Sequence, residues 1–204
     1  MILHFVRHGE SEANVLWEFS NGLDRHPLTE KGRQQAYDLA HRLRGLPITA
    51  CYSSPILRAV QTAEILSAEL GISYQVADAL REFDVGIFEG RTDETSWQQF
   101  FQLVDTWMLQ RDWEQSIDGG ESFLDIQRRF VPFIDSLIQQ YGASQAQFLL
   151  VGHGGTYRCM LPLILNNIDF TFANWQRLPN TAIVSAETTP EGLVCLRWGE
   201  EKFS

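Results

Sequence analysis

Short apolar runs of strand length alternate with amphipathic stretches of helix length throughout this chain, and that alternation admits few folds. Met1 to Val6 reads as a short buried strand. "ITACYSS" is another, ended by Pro55, and "ISYQVA" is a third. "QAQFLLVGHGG" is a buried strand running into a glycine turn. "TAIVSAET" and "GLVCLRW", separated by "TPE", read as a closing hairpin. Between these lie helical patterns. Thr29 to Arg44 has an N-cap threonine with Ala36, Leu39, Ala40 and Leu43 at helical spacing. "PILRAVQTAEILSAEL" opens on proline and stops at Gly71. A third helix is expected from about Glu121 to Tyr141, disturbed at Pro132, and a fourth from about Thr156. Strands alternating with helices predict a three-layer α/β/α sandwich with a mostly parallel central sheet and right-handed crossovers, as one domain over 1–204.

In such sheets ligands bind beyond the carboxyl ends of the strands. "VRHGE" and "LVGHGG" both fall at strand ends. Arg7 and His8 side by side at the lip of a core are costly unless an anion comes to meet them. The formal net charge of −10 argues against nucleic-acid partners, yet a few converging arginines can still make a local positive well. Cys51, Cys159 and Cys195 are odd in number and widely spaced, so reduced core cysteines are expected. No run at the start is long enough for a signal peptide or membrane span, which predicts a soluble, cytoplasmic protein that does not engage membranes.

Four segments carry the chemistry: "RHGES" with Asn14 shortly after, "SSPILRAVQTAE" with Arg58, "LREFDVGIFEG" with Glu82, and "VGHGG" with His153. Together, in this order, they resemble the histidine phosphatase superfamily, the phosphoglycerate mutase-like proteins. The resemblance covers nearly the whole chain and implies a phosphoglycerate mutase-like fold. It makes His8 the nucleophile, which must be neutral at its attacking nitrogen, a state that nearby guanidiniums favour. Arg7 and Arg58 would offer planar, paired donors to phosphoryl oxygens. Gly9 would let the backbone approach the ligand and donate from its amide. His153, with the Gly154 amide, would bind phosphate and stabilise the transition state. Glu82 would protonate the leaving oxygen and then activate water. Asn14 would be a neutral donor to the phosphoryl group. Ser20 and Asn21 are further candidates for the pocket lining.

Plainer readings compete with these. His4, His26 and His41 are expected to be hydrogen-bonded loop residues, and Arg25, Arg81 and Arg91 surface or rim charges. Paired histidines suit a metal, but their neighbours here are arginines rather than further carboxylates or thiolates, so no metal is expected. The aromatic segment around 95–113 places Trp97, Phe100, Phe101, Val104 and Trp107 or Met108 at helical spacing. It reads as an amphipathic helix within a variable helical cap region, about 92–118, that packs on its own domain, covers the site or forms a dimer face. A homodimer is allowed, not required.

The resemblance implies a metal-independent phosphatase of small phosphomonoesters acting through a phosphohistidine, with no cofactor. A 2,3-bisphosphoglycerate-dependent phosphoglycerate mutase is the alternative, the one case calling for that cofactor. True mutases of this type usually carry a tyrosine soon after the acid and an arginine pair farther on. Here "FDVGIFEG" follows Glu82, and only Arg91 and Arg111 precede "IDGGES". A non-catalytic phosphate-binding or interaction protein is the reading from another class, weakened because every proposed catalytic position is filled.

Overall fold

The computed structural model describes residues 1–203. A single sheet collects all its strands: β1 (Ile2–Arg7), β2 (Ile48–Ser53), β3 (Tyr74–Val76), β4 (Gln147–Gly152), β5 (Ile183–Thr189), β6 (Gly192–Trp198) and β7 (Glu201–Lys202). Their order is β3-β2-β4-β1-β5-β6-β7. The half formed by β3, β2, β4 and β1 is parallel throughout. The closing hairpin adds antiparallel to β1, and the two-residue β7 extends it.

Alternation along the central strands explains the layers. On β1 and β4, Leu3, Phe5, Phe148 and Leu150 point to one side, while Val6, Leu149 and Val151 point to the other. A strand buried on both faces needs apolar residues at successive positions, as these have. The first side is a core of large groups. It is filled by Phe123, Ile126, Phe130 and Ile134 from α5 (Phe123–Tyr141) and by Tyr157 and Met160 from α6 (Gly154–Ile164). The second side uses smaller residues. Leu39, Ala40 and Leu43 of α2 (Glu30–Leu43) meet Ala59, Ala63 and Leu66 of α3 (Leu57–Leu70). Each fully buried leucine or phenylalanine contributes roughly 1.5–3 kcal/mol, so neither helix layer can be shed.

Several boundaries differ from the sequence reading, each for a local reason. Ser122 caps α5 by accepting from the Asp125 amide, which starts that helix at Phe123 rather than Glu121. The helix then passes Pro132 without a break. Phe130 and Ile134, both fully buried on either side of the proline, hold it on course. His153, in extended backbone, takes the N-cap position of α6 without a side-chain capping bond, so that helix begins at Gly154, two residues earlier than expected. His4 lies inside β1 and His41 on α2 rather than in loops. His4 bonds Ser185 Oγ and Gln147 Oε1. The three cysteines are buried and free.

The aromatic segment forms α4 (Glu94–Asp105), capped by Asp93 Oδ1 accepting from the Ser96 amide at 3.0 Å, and a wider turn over Thr106–Gln110. Trp107 and Met108 on that turn are fully buried, while Phe101 stays exposed. Two short helices complete the chain, α1 (Glu12–Leu16) after β1 and α7 (Phe170–Trp175) after α6. No helix among the described residues is long and apolar enough to cross a membrane.

Candidate active site

β1 and β4 are parallel neighbours, with Arg7 paired to Gly152 at their carboxyl ends. The His8 amide continues the ladder by donating to the Gly152 carbonyl at 3.0 Å. His8 and His153 therefore leave adjacent strands at the same level. Their ring centroids lie 5.1 Å apart, with 59° between the planes.

Hydrogen bonding fixes the state of His8. Its Nδ1 is 2.7 Å from the Gly9 carbonyl oxygen, which can only accept, so Nδ1 carries the proton. Nε2 is left with its lone pair, which accepts from Arg58 Nε at 3.1 Å. Burial first, then the Arg58 and Arg7 guanidiniums, hold the imidazole well below its ordinary pKa. The ring is neutral, with its unprotonated nitrogen toward Arg58. His153 is likewise held well below the usual range, by burial first and then by Arg58. Its Nε2 sits 2.8 Å from Ser54 Oγ and its Nδ1 accepts from Arg58 Nη2 at 3.4 Å.

Arg58 comes from the first turn of α3 and is 5% exposed; burial lowers its pKa to about 10, still cationic at neutral pH. Its Nη1 is buried without a partner. Arg7 donates from Nη1 to the Leu178 carbonyl at 2.6 Å, and its Nε is also buried and unpartnered. An orphaned buried donor costs about 1–3 kcal/mol, more when charged. Two of them beside a histidine lone pair make a cradle for an anion.

Glu82 is clamped at the start of α6. Its carboxylate accepts from the Gly155 amide at 3.1 Å, the Thr156 amide at 2.7 Å and Thr156 Oγ1 at 2.8 Å. Gly155 is required for this approach, since a Cβ there would stand 2.8 Å from the carboxylate. Asn14 Oδ1 receives the Ser11 amide and Asn180 Nδ2, each at 3.1 Å, which turns its own amide nitrogen away from them. Arg7, His8, Asn14, Arg58, Glu82 and Gly154 all line one cavity of about 510 Å³, as do Ser20 and Asn21. His153 lies behind it, fully buried. A hollow of about 590 Å³ behind β5, lined by His4, Arg42 and Arg197, contains none of the proposed catalytic groups.

One expectation fails. The Gly9 amide does not face the cavity, because it donates to Thr62 Oγ1 at 3.1 Å. The Gly9 carbonyl orients the histidine instead. Glycine is needed there for packing: a Cβ would stand 2.4 Å from the carbonyl oxygen of Gly32 on α2. Arg81 does not line the cavity and is a half-exposed charge bridged to Asp78 and Glu121, within the expectation of a surface or rim charge. Sequence reasoning missed Ser54, Thr62, Thr156 and Asn180. The first and third were visible only as neighbours of the "SSP" and "GGT" turns; nothing marked the others.

Comparison with known proteins identifies the family and the fold. The profile of the histidine phosphatase superfamily (branch 1) matches residues 3–201. A relative from Salmonella choleraesuis, named probable phosphoglycerate mutase GpmB, is 34% identical over 169 residues, covering 80% of this chain and 74% of its own. Among solved structures, Bacillus stearothermophilus YhfR superposes with a TM-score of 0.81 at 27% identity, covering 100% of this chain and 98% of that one. A mycobacterial glucosyl-3-phosphoglycerate phosphatase with bound vanadate shares the fold, with a TM-score of 0.82 at 24% identity over 100% and 99% of the chains. The chain belongs to the histidine phosphatase superfamily, branch 1.

Proposed function

We propose that the protein is a metal-independent phosphatase that hydrolyses small phosphomonoesters through a phosphohistidine on His8. The carrying observation is the neutral His8 ring, its Nδ1–H held by the Gly9 carbonyl and its Nε2 lone pair facing two buried, incompletely bonded guanidiniums. A phosphomonoester dianion satisfies those donors. His8 Nε2 then attacks phosphorus as the bond to the leaving oxygen breaks, and Glu82, which must enter this step protonated, gives that oxygen its proton. In the second step Glu82 takes a proton from water, which attacks the phosphohistidine and releases phosphate. Arg7, Arg58, Asn14 and the Gly154 amide stabilise the charge that gathers on the equatorial oxygens, whereas His153, expected to bind phosphate itself, lies behind the cavity with both nitrogens engaged and acts by holding Arg58. Positive charge at the phosphorus comes from arginine, so the proposal includes neither metal nor cofactor. The 92–118 region supplies one wall of the site, in one domain spanning 1–204, and the proposed setting is the cytoplasm.

The test is hydrolysis of 4-nitrophenyl phosphate in the presence of a metal chelator. Activity should persist there and vanish in His8→Ala with the fold retained. Ample turnover by that variant sinks the nucleophile assignment. The name carried by the 34%-identical relative favours a second reading, phosphoglycerate mutase, for which 2,3-bisphosphoglycerate would be the cofactor. Incubation with 3-phosphoglycerate and 2,3-bisphosphoglycerate separates the two. Fast isomer exchange with little free phosphate selects the mutase.

A further inference from the structure

The two guanidiniums that meet the phosphoryl group are not the only arginines at this cavity. Arg158 and Arg177 line it too. In a chain of net charge −10, six of the other twelve arginines find a carboxylate: Arg25, Arg44, Arg81, Arg128, Arg129 and Arg197 all form ion pairs. Arg158 and Arg177 form none among the described residues. Arg158 donates to the neutral Asn174 Oδ1, and its Nε is buried without an acceptor. The only carboxylate on that path, Asp105, is reached through Asn174. The acidic groups lining the same cavity are engaged elsewhere, Glu18 with Arg25 and His26, Glu82 with the start of α6.

Placement makes these arginines a second station rather than part of the first. Arg158 follows Gly154 by about one turn of α6, so its backbone stands roughly 6 Å farther along the helix axis. Arg177 directly precedes Leu178, whose carbonyl holds Arg7.

The facing wall is aromatic. Trp17, Phe19, Phe83, Trp97, Phe100 and Phe101 all line the cavity. Phe83 stacks on Phe100 at 5.5 Å with 6° between planes, and Phe19 on Trp97 at 3.9 Å. Trp17 packs edge-on against Trp97 at 5.7 Å yet is 64% exposed. The Trp97 indole N–H fixes the pair by donating to the Trp17 carbonyl at 2.9 Å. Exposed tryptophan held rigidly at a cavity is a surface waiting for a flat apolar partner.

We propose that the substrate's organic part is a flat, apolar, aromatic group bearing a second anion, carboxylate or phosphate, seated between this wall and the pair Arg158 and Arg177. The inference rests on the phosphomonoester reading above and adds the class of leaving group to it. Simple solvation is the plainer account of Arg177, which is exposed, but the buried Nε of Arg158 has no water-facing alternative.

Calorimetric binding to the His8→Ala protein tests this without turnover, with phenyl phosphate, 4-carboxyphenyl phosphate and 1,4-phenylene bisphosphate as ligands. At least one of the doubly anionic ligands should bind about tenfold or more tighter than phenyl phosphate, the worth of one charge-assisted contact. Whichever is favoured identifies the second anion. Arg158→Gln and Arg177→Gln should each shrink that preference severalfold, and added salt should shrink it as well. Equal affinities for all three ligands, or a preference that survives both substitutions, overturns the proposal. Failure of the phosphatase reading shows separately, as wild-type protein that binds these esters and hydrolyses none.

Discussion

Arg58 stands between the two histidines, its Nε 3.1 Å from His8 Nε2 and its Nη2 3.4 Å from His153 Nδ1. One planar fork thus sets the spacing of both rings. On the proposed mechanism, the oxygens of a phosphoryl group take over these donors and free the His8 lone pair for attack. Lysine cannot reach both rings at once, since it brings one compact ammonium rather than a fork. Arg58→Lys is therefore expected to lower kcat/KM by about 10²–10³, close to Arg58→Ala. Steady-state kinetics on 4-nitrophenyl phosphate checks this, and near-normal activity of the lysine variant would refute the two-ring role.

The protein should lose stability on mild acidification. His4, His8 and His153 are all held below their ordinary pKa, with burial the first cause. In the unfolded chain each takes up a proton near pH 6.5, whereas in the fold each does so only at lower pH. Below pH 6.5 the unfolded state holds more protons, so stability falls as pH drops, and it is flat above that value for these groups. The slope is at most about 1.4 kcal/mol per pH unit for each histidine, down to its folded pKa. Urea unfolding at pH 7.5, 6.5 and 5.5 should show the decline beginning near 6.5. His8→Asn should make it shallower by one group's share.

Thr156 is expected to act on the leaving-group step through Glu82, which it holds by amide and hydroxyl. Removing the hydroxyl loosens the carboxylate without touching the phosphate cradle. A nitrophenolate departs without a proton, whereas an alkoxide needs one. Thr156→Val should thus cut kcat about tenfold or more for an alkyl phosphate and far less for 4-nitrophenyl phosphate. Thr156→Ser, which keeps the hydroxyl, should recover the alkyl-phosphate activity and abolish that difference. Equal losses on both substrates would reduce Thr156 to a packing residue.

Gly32→Ala should be costly although the residue sits outside the cavity. A Cβ there would stand 1.9 Å from the Glu10 carbonyl oxygen, backbone against backbone, with no flexible group to yield. Overpacking of this kind costs about 1–3 kcal/mol or more. Because Glu10 lies two residues from His8, kcat should fall as well. Denaturant midpoints and kinetics of the one variant measure both.

Much of this arrangement is legible in the residues themselves. Strand runs that end in "RHG" and "GHG" place two histidines at one sheet edge, and their register, Arg7 beside Gly152, follows from the parallel pairing. What is not legible is reciprocal contact across long separations. Nothing near Thr62 says that it receives the Gly9 amide, and nothing near Asn180 says that it braces Asn14. Gly9 misled for the same reason: its neighbour is a glycine on another helix, not the ligand. Pro132 misled because its local cost is set against burial of Phe130 and Ile134, which a local pattern does not weigh.

The proposed reacting groups hang from the ends of central strands and from helix starts seated on them, while Trp17, Trp97, Phe100, Phe101 and Arg177 come from peripheral segments: the end of α1, α4 and the stretch after α7. Phe83, next to Glu82, and Arg158, on α6, are the exceptions. Under the proposed function, hardware for breaking the ester is thus anchored largely apart from hardware for choosing it. Exchanging those outer segments between related chains is a route to new selectivity that leaves the attacking nitrogen undisturbed.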